Sequence, residues 1–283
     1  MLAKIQFVIS ILLTVLYAVN INFTFALIDI SKVILVFLVI NLILTLLVLF
    51  AFVFLIYTTE NFKHDSLRKH KMFNFFNEYI FNFLYRVKPI VIEKENLPKN
   101  NNFMVYSNHI EYTDPLYVKQ VYKNYALAYL SKEELFKYPV LKNILRGTGC
   151  IPLSRKVGDR RALQAVLQAI KQVKAGQPLG IFPEGTRSHA NIIGEFKSGS
   201  FKIAQKAQAD ISPVVLFNMH KTVDAFKFFK SKVYIKVLPI ISYEKFKDMD
   251  TNELSALVHD LIEEEKNKLK EVDYEENNYK KST

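Results

Sequence analysis

Two long uncharged apolar runs at the amino end constrain this chain more than any other feature. Residues 5–28 carry no charge, and neither do the 25 residues of 33–57. As a helix the second run is about 37 Å long, enough to cross a hydrocarbon core of about 30 Å with some tilt. The first run contains Asn20 and Asn22, which makes it the weaker span. Between the runs, Asp29-Ile30-Ser31-Lys32 leaves room only for a tight turn, so residues 1–58 are expected to form a transmembrane helical hairpin. A signal peptide is the competing reading of the first run. Its length and poor cleavage-site pattern argue against that.

The charges flanking these runs set the expected orientation. Lys63, His64, Arg68, Lys69, His70 and Lys71 follow the second run, Lys4 precedes the first, and the 29–32 turn is neutral. The bias of basic residues places both ends, and all that follows, on the cytoplasmic side of a cell membrane. Residues 59–88 combine this basic cluster with Phe73, Phe75, Phe76, Tyr79, Phe81, Phe83 and Leu84. Such a stretch either lies in the plane of an anionic bilayer surface or packs as a core helix. The net charge of +11 points to anionic partners: nucleic acid, acidic membrane or phosphorylated substrate. No nucleic-acid recognition motif is present. Cys150 is the only cysteine, which rules out an internal disulfide.

From residue 87 the pattern becomes that of a soluble domain, expected over 89–272, with a polar, frayed tail at 273–283. Strands are expected at 90–93, 103–107, 126–130, 150–153, 179–182, 212–217 and 233–239. Residues 160–174 form the clearest helix, with Asp159 as its cap, Gly176 at its end, and Leu163, Val166, Leu167, Ile170 and Val173 at helical spacing. A second helix follows Asp250, where Glu253 completes a capping box and Leu254, Leu257, Val258 and Leu261 share a face. Strands alternating with helices predict an α/β fold, a mainly parallel central sheet flanked by helices. Active sites of such sheets collect at the carboxyl ends of the strands.

Two such ends carry reactive side chains. The strand at 103–107 runs into Asn108-His109-Ile110-Glu111-Tyr112-Thr113-Asp114-Pro115. Asp114 before a proline signals a helix start, and the short turn can bring its carboxylate back onto the His109 imidazole. A carboxylate there fixes the tautomer, leaving the other ring nitrogen to act as a general base. Taken alone, the same residues also fit a helix cap beside a strand-end histidine. The strand at 179–182 leads into Pro183-Glu184-Gly185-Thr186-Arg187-Ser188. Gly185 permits backbone angles that turn amides toward an anion, and Arg187 can fork two hydrogen bonds onto a phosphate. Glu184 could hold that arginine or a substrate hydroxyl. An ordinary polar loop is the plainer alternative. Arg155, just past Gly149-Cys150-Ile151-Pro152-Leu153-Ser154, and Lys197 are further phosphate candidates that could equally be solvated. Ile211-Ser212-Pro213-Val214 has no reactive group and reads as wall.

In this order the four blocks resemble the family of 1-acylglycerol-3-phosphate acyltransferases. That family shows Asn-His-x4-Asp, Gly-x-Ile-x-x-x-Arg, Phe-Pro-Glu-Gly-Thr-Arg-Ser and a final proline-containing strand. The resemblance covers roughly residues 87–239, and the block at 182–188 is its most specific part. Two positions depart from the pattern: Glu111 stands where serine is common, and Ser154 where Asp or Asn usually precedes the arginine. Both put the identity of the acceptor in question more than the reaction type.

The resemblance implies transfer of a fatty acyl group from a thioester, on coenzyme A or acyl carrier protein, to the sn-2 hydroxyl of 1-acylglycerol-3-phosphate (lysophosphatidic acid), giving phosphatidic acid. His109 and Asp114 would be catalytic. Asn108, Arg155, Glu184, Gly185, Thr186, Arg187 and Lys197 would bind substrate. No metal or other cofactor is implied, since the thioester is already activated. Three alternatives remain: Cys150 as a nucleophile paired with His109, another acceptor such as glycerol-3-phosphate or a lysophospholipid, and a non-catalytic module that binds anionic lipid.

Overall fold

The computed structural model describes residues 2–21, 23–58, 63–80, 87–154, 159–223 and 231–282. Its centre is a seven-stranded sheet of β1 (Val87–Ile92), β2 (Phe103–Ser107), β3 (Ala128–Lys132), β4 (Ile151–Leu153), β5 (Leu179–Ile181), β6 (Asp210–Phe217) and β7 (Ser231–Val237). The spatial order is β1-β7-β6-β2-β5-β3-β4. Every neighbouring pair is parallel except β6 with β7. The five strands from β6 to β4 therefore turn their carboxyl ends toward one edge, where both reactive loops leave the sheet. All five β2 residues are buried, as expected of a central parallel strand covered on both sides.

Alternation along the strands assigns the layers. Val105 and Ser212 are register partners, and Ser212 Oγ bonds the hydroxyl of Tyr122 at 2.6 Å, just past α4 (Asp114–Val121). The next residue, Tyr106, points the other way. It donates to the Ser200 carbonyl at 3.0 Å and stacks on Phe201 at 4.3 Å, beside α7 (Lys202–Ala207). Helix α6 (Arg160–Lys174) packs against α7, and α9 (Thr251–Ser282) lies over β6. The remaining helices of the domain are α5 (Pro139–Gly147), between β3 and β4, and the short α8 (Tyr243–Phe246).

Helix α6 has the expected bounds. Asp159 accepts from the Arg161 amide at 2.9 Å, and Gly176 takes φ 87° after its end. Its buried face is partly the expected one: Val173 is buried and Val166 and Ile170 pack against the core, joined by Ala165 and Ala169, whereas Leu163 and Leu167 are 62% and 57% exposed. Alanines let the backbone approach α7 closely, which turns the leucines out. Helix α9 starts with the expected reciprocal cap, Asp250 accepting from the Glu253 amide at 3.0 Å and Glu253 from that of Asp250 at 3.1 Å. It then continues through the stretch expected to fray, and Leu257 lies outside its buried face.

At the amino end, α1 (Leu2–Asn20) and α2 (Leu27–Thr58) pack side by side. Gln6, Ser10 and Thr14 are buried one turn apart on α1, and Gln6 donates to Thr45 Oγ1 at 3.0 Å. The expected turn at 29–32 is incorrect, because those residues lie inside α2 and the chain reverses between Asn20 and Leu27. Asp29 explains the shift. In the first turn of α2 it faces the positive end of the helix dipole, accepts from Thr24 Oγ1 at 2.6 Å and pairs with Lys32 at 3.5 Å. Among the described residues one helix, 27–57, is long and apolar enough to cross a membrane, and the apolar part of α1 is shorter.

Helix α3 (Leu67–Ile80) packs on α4 and buries Phe73, Phe76 and Tyr79. Phe52 of α2 meets Phe73 and Phe76 at ring distances of 6.0 and 4.6 Å. Phe75 stays exposed, and Phe81, Phe83 and Leu84 lie outside the described residues. Beneath the aromatic face, the buried Lys119 ammonium donates to His70 Nδ1 at 2.7 Å and to the Leu127 carbonyl. His70 Nε2 in turn donates to the His64 carbonyl at 2.8 Å.

That arrangement requires a neutral His70, and burial, followed by the charge of Lys119, lowers its pKa from 6.5 to about 3. Burial also lowers Lys119 to about 8. The unfolded chain binds the His70 proton more readily. Stability from this group is therefore complete above pH 6.5 and is lost as pH falls from 6.5 toward 3, by about 1 kcal/mol per unit. The thermal midpoint should fall across this range more steeply in the parent than in His70→Gln. Equal slopes would contradict this assignment.

Candidate active site

The two reactive loops meet at the carboxyl ends of β2 and β5. Asp114 opens α4, but its side chain folds back instead of capping that helix. Oδ2 accepts from His109 Nδ1 at 2.9 Å and from the amides of Ile110 and Glu111 at 2.6 and 2.8 Å. Its other oxygen is buried without a hydrogen-bond partner among the described residues. Burial pushes this carboxyl above the usual range, against the pull of His109 and the two amides. His109 is 16% exposed, with its Nδ1 engaged, so Nε2 is the nitrogen available to the cleft. The imidazole stacks on Phe182 at 4.2 Å, and Phe182 stacks on Tyr129 at 6.0 Å.

The second loop is bonded to the first. Ser188 and His189 donate their amides to the carbonyls of His109 and Ile110 at 2.9 and 3.1 Å. Glu184 is a staple: one carboxylate oxygen accepts from the His109 amide at 2.7 Å and the other from the Gly194 amide at 2.9 Å. Its carboxyl is raised by burial and held down by those amides. Among the described residues these two amides, not the Arg187 guanidinium, bond the Glu184 carboxylate. Asn108 is likewise structural. It is fully buried, donates to the Leu216 carbonyl at 2.9 Å and accepts from the Leu216 amide at 2.8 Å. Both side chains sit behind the cleft wall and hold His109 in place.

The cleft itself measures about 540 Å³ and is lined by His109, Gly185, Thr186, Arg187 and Lys197 at its polar end. Tyr129, Leu153, Val166 and Ile203 give it an apolar side. Gly185 has φ 71°, and a Cβ there would come within 2.9 Å of Lys197 Nζ, so glycine lets the lysine lie across the loop. The Arg187 guanidinium rests 3.3 Å above the Tyr112 ring, with Nη1 buried and without a hydrogen-bond partner among the described residues. Two cations thus face an imidazole–carboxylate pair across a half-apolar cleft.

Arg155 lies outside the described residues. Ser154, the unusual residue before it, donates to the helix-capping Asp159 at 2.6 Å. Cys150 is buried beside Thr148 and is not part of the cleft wall, while His109 Nδ1 is bonded to Asp114, so the geometry does not pair the thiol with the imidazole. Sequence reasoning missed the stacked Phe182 and Tyr129 and the platform Tyr112. Only Phe182, directly after β5, sits where a strand end could have pointed to it.

The family model described as Acyltransferase matches residues 88–217. The chain is 34% identical over 178 residues to the 1-acyl-sn-glycerol-3-phosphate acyltransferase of Borreliella burgdorferi, covering 62% of this chain and 70% of that one. It is 33% identical over 128 residues to the chloroplastic 1-acyl-sn-glycerol-3-phosphate acyltransferase BAT2 of Brassica napus, covering 45% of this chain and only 36% of that longer protein. The crystal structure of the 1-acyl-sn-glycerophosphate (LPA) acyltransferase PlsC from Thermotoga maritima superposes with a TM-score of 0.64 at 27% identity, covering 81% of this chain and 96% of that one. The order of blocks, the paired loops and these similarities agree: the chain belongs to the family of 1-acyl-sn-glycerol-3-phosphate acyltransferases.

Proposed function

We propose that this enzyme moves a fatty acyl group from an acyl-coenzyme A or acyl carrier protein thioester to the sn-2 hydroxyl of 1-acylglycerol-3-phosphate, giving phosphatidic acid. The observation that carries this reading is the Nδ1–carboxylate bond of 2.9 Å that aims His109 into a cleft holding Arg187 and Lys197. His109 Nε2 takes the hydroxyl proton as the oxygen attacks the thioester carbonyl. The resulting imidazolium, stabilised by Asp114, returns the proton to the departing thiolate. Arg187 and Lys197 hold the acceptor phosphate, with Gly185 and Thr186 at the loop, and the apolar side takes acyl chain. No cofactor takes part, because the thioester supplies the activated carbonyl.

Membrane placement belongs to the same reading: α1 and α2 form a hairpin in the bilayer, and the cleft opens toward its cytoplasmic face. The path of the chain supports it. Gln177 binds the carbonyls of His64, Ala126 and Thr148, at the amino ends of the strands. One helix later, Tyr79 bonds Gln6 of α1. Helix α3 thus climbs toward the cleft side, and the apolar parts of α1 and α2 project beyond it. The exposed Leu163 and Leu167, in the cleft-side half of α6, add apolar surface at that end.

The test is thiol release by purified protein with lysophosphatidic acid, comparing acyl-coenzyme A with acyl carrier protein. Phosphatidic acid from at least one donor is expected, and none from either would refute the reading. Arg187→Ala should raise the acceptor KM by about 10- to 100-fold, since a charge-assisted pair is worth about 1.5–3 kcal/mol. An unchanged acceptor KM would remove Arg187 from the phosphate site.

A further inference from the structure

We infer that Glu111 and His189 are a positioning pair that sets where the Arg187 guanidinium stands relative to His109. The inference rests on the function proposed above. Glu111 occupies the position where the family pattern commonly has serine, and its side chain is only 6% exposed. A buried carboxylate needs a hydrogen-bond partner. His189 supplies one: its Nδ1 lies 2.9 Å from Glu111 Oε1. The imidazole is held there at a cost in backbone strain, because His189 takes φ 56°.

The pair also reaches Arg187 through Tyr112. The Tyr112 ring stands edge-on to the His189 ring at 6.5 Å, and its face carries the guanidinium at 3.3 Å. Tyr112 is 68% exposed, so little besides His189 and Arg187 restrains it. Glu111 and Tyr112 on one loop thus meet His189 and Arg187 on the other, and the amide bonds from Ser188 and His189 align the two segments. Glu111 orients His189, His189 supports the edge of Tyr112, and the Tyr112 face holds the Arg187 guanidinium at the cleft. None of Glu111, Tyr112 and His189 needs to touch the reacting atoms.

Full-length protein in nanodiscs would be assayed with lysophosphatidic acid and the donor the parent enzyme uses, alongside Glu111→Ala, His189→Ala, the double variant and Glu111→Gln. The two single alanine variants should each raise the acceptor KM by about ten-fold while the donor KM stays at the parent value. The double variant should be no worse than the weaker single, as expected for one pathway. Glu111→Gln keeps an oxygen for His189 Nδ1–H and should restore most of the loss. An unchanged acceptor KM overturns the inference. So does a parallel change in both KM values and the thermal midpoint, which would mean a role in folding alone. Failure of the proposed function itself is distinct, since it shows as absence of phosphatidic acid from the parent.

Discussion

Replacing His109 with alanine is expected to lower kcat by about 10²–10⁴-fold, the usual worth of a positioned general base, with little change in either KM. Asp114→Asn should lower kcat by a comparable factor through a different cause. An amide oxygen can still accept from Ile110 and Glu111, so the loop keeps its shape. The negative charge that stabilises the imidazolium is gone. Stability separates the two variants. His109→Ala removes a ring stacked on Phe182 and leaves the Asp114 charge buried without its partner, so the thermal midpoint should fall. Asp114→Asn relieves a buried charge that has one unbonded oxygen, so the midpoint should hold or rise. Both variants would be assayed by thiol release and by thermal unfolding in detergent. Full activity in His109→Ala would sink the base assignment, and a collapse of Asp114→Asn would show that the carboxylate serves folding first.

How much of this was legible depended on whether a local rule or a tertiary contact decided the matter. Strand β2 and helix α6 have the expected bounds because burial on both faces and an Asp–Gly pair of caps are written into short windows. The inward face of α6 is legible in part: Val166, Ile170 and Val173 pack inward as their spacing indicates. Close packing against α7 adds Ala165 and Ala169, while Leu163 and Leu167 stay exposed. The reversal between α1 and α2 was misplaced because Asp29 and Lys32 look like turn residues, while Thr24 makes Asp29 a helix-start residue. In the site, spacing allowed the pairing of His109 with Asp114, and the resemblance of the four blocks selected it over a plain helix cap. The tasks of Glu184 and Asn108 were not legible in this way, since a motif shows that a polar side chain is required without showing whether it faces substrate or backbone. The one usable signal was position: a polar residue directly after a fully buried strand must find its partners in the protein.

Asn108 makes that last distinction testable, with a stability effect that depends on pH. The side chain gives one hydrogen to the Leu216 carbonyl and takes one from the Leu216 amide, in a fully buried position. Asn108→Asp has almost the same shape. A protonated carboxyl can reproduce both bonds, its O–H donating to the carbonyl and its C=O accepting from the amide. An ionised one sets an oxygen against the Leu216 carbonyl and carries an unpaired charge into the core. The folded state therefore favours the protonated form, and the pKa at this position must lie above the unfolded value of about 3.9. The unfolded chain then loses its proton first, so stability relative to the parent is intact below about pH 4 and declines as pH rises, reaching a deficit of about 3–5 kcal/mol at neutral pH. Asn108→Ala lacks both bonds at every pH and should show a constant deficit. If Asn108 instead served the substrate from the cleft, both variants would unfold like the parent and differ only in acceptor KM. Measuring the difference in thermal midpoint from the parent at each pH cancels the acid sensitivity contributed by His70. Because the Asn108 bonds hold the strand end from which His109 projects, activity of Asn108→Asp should decline over the same pH interval as its stability.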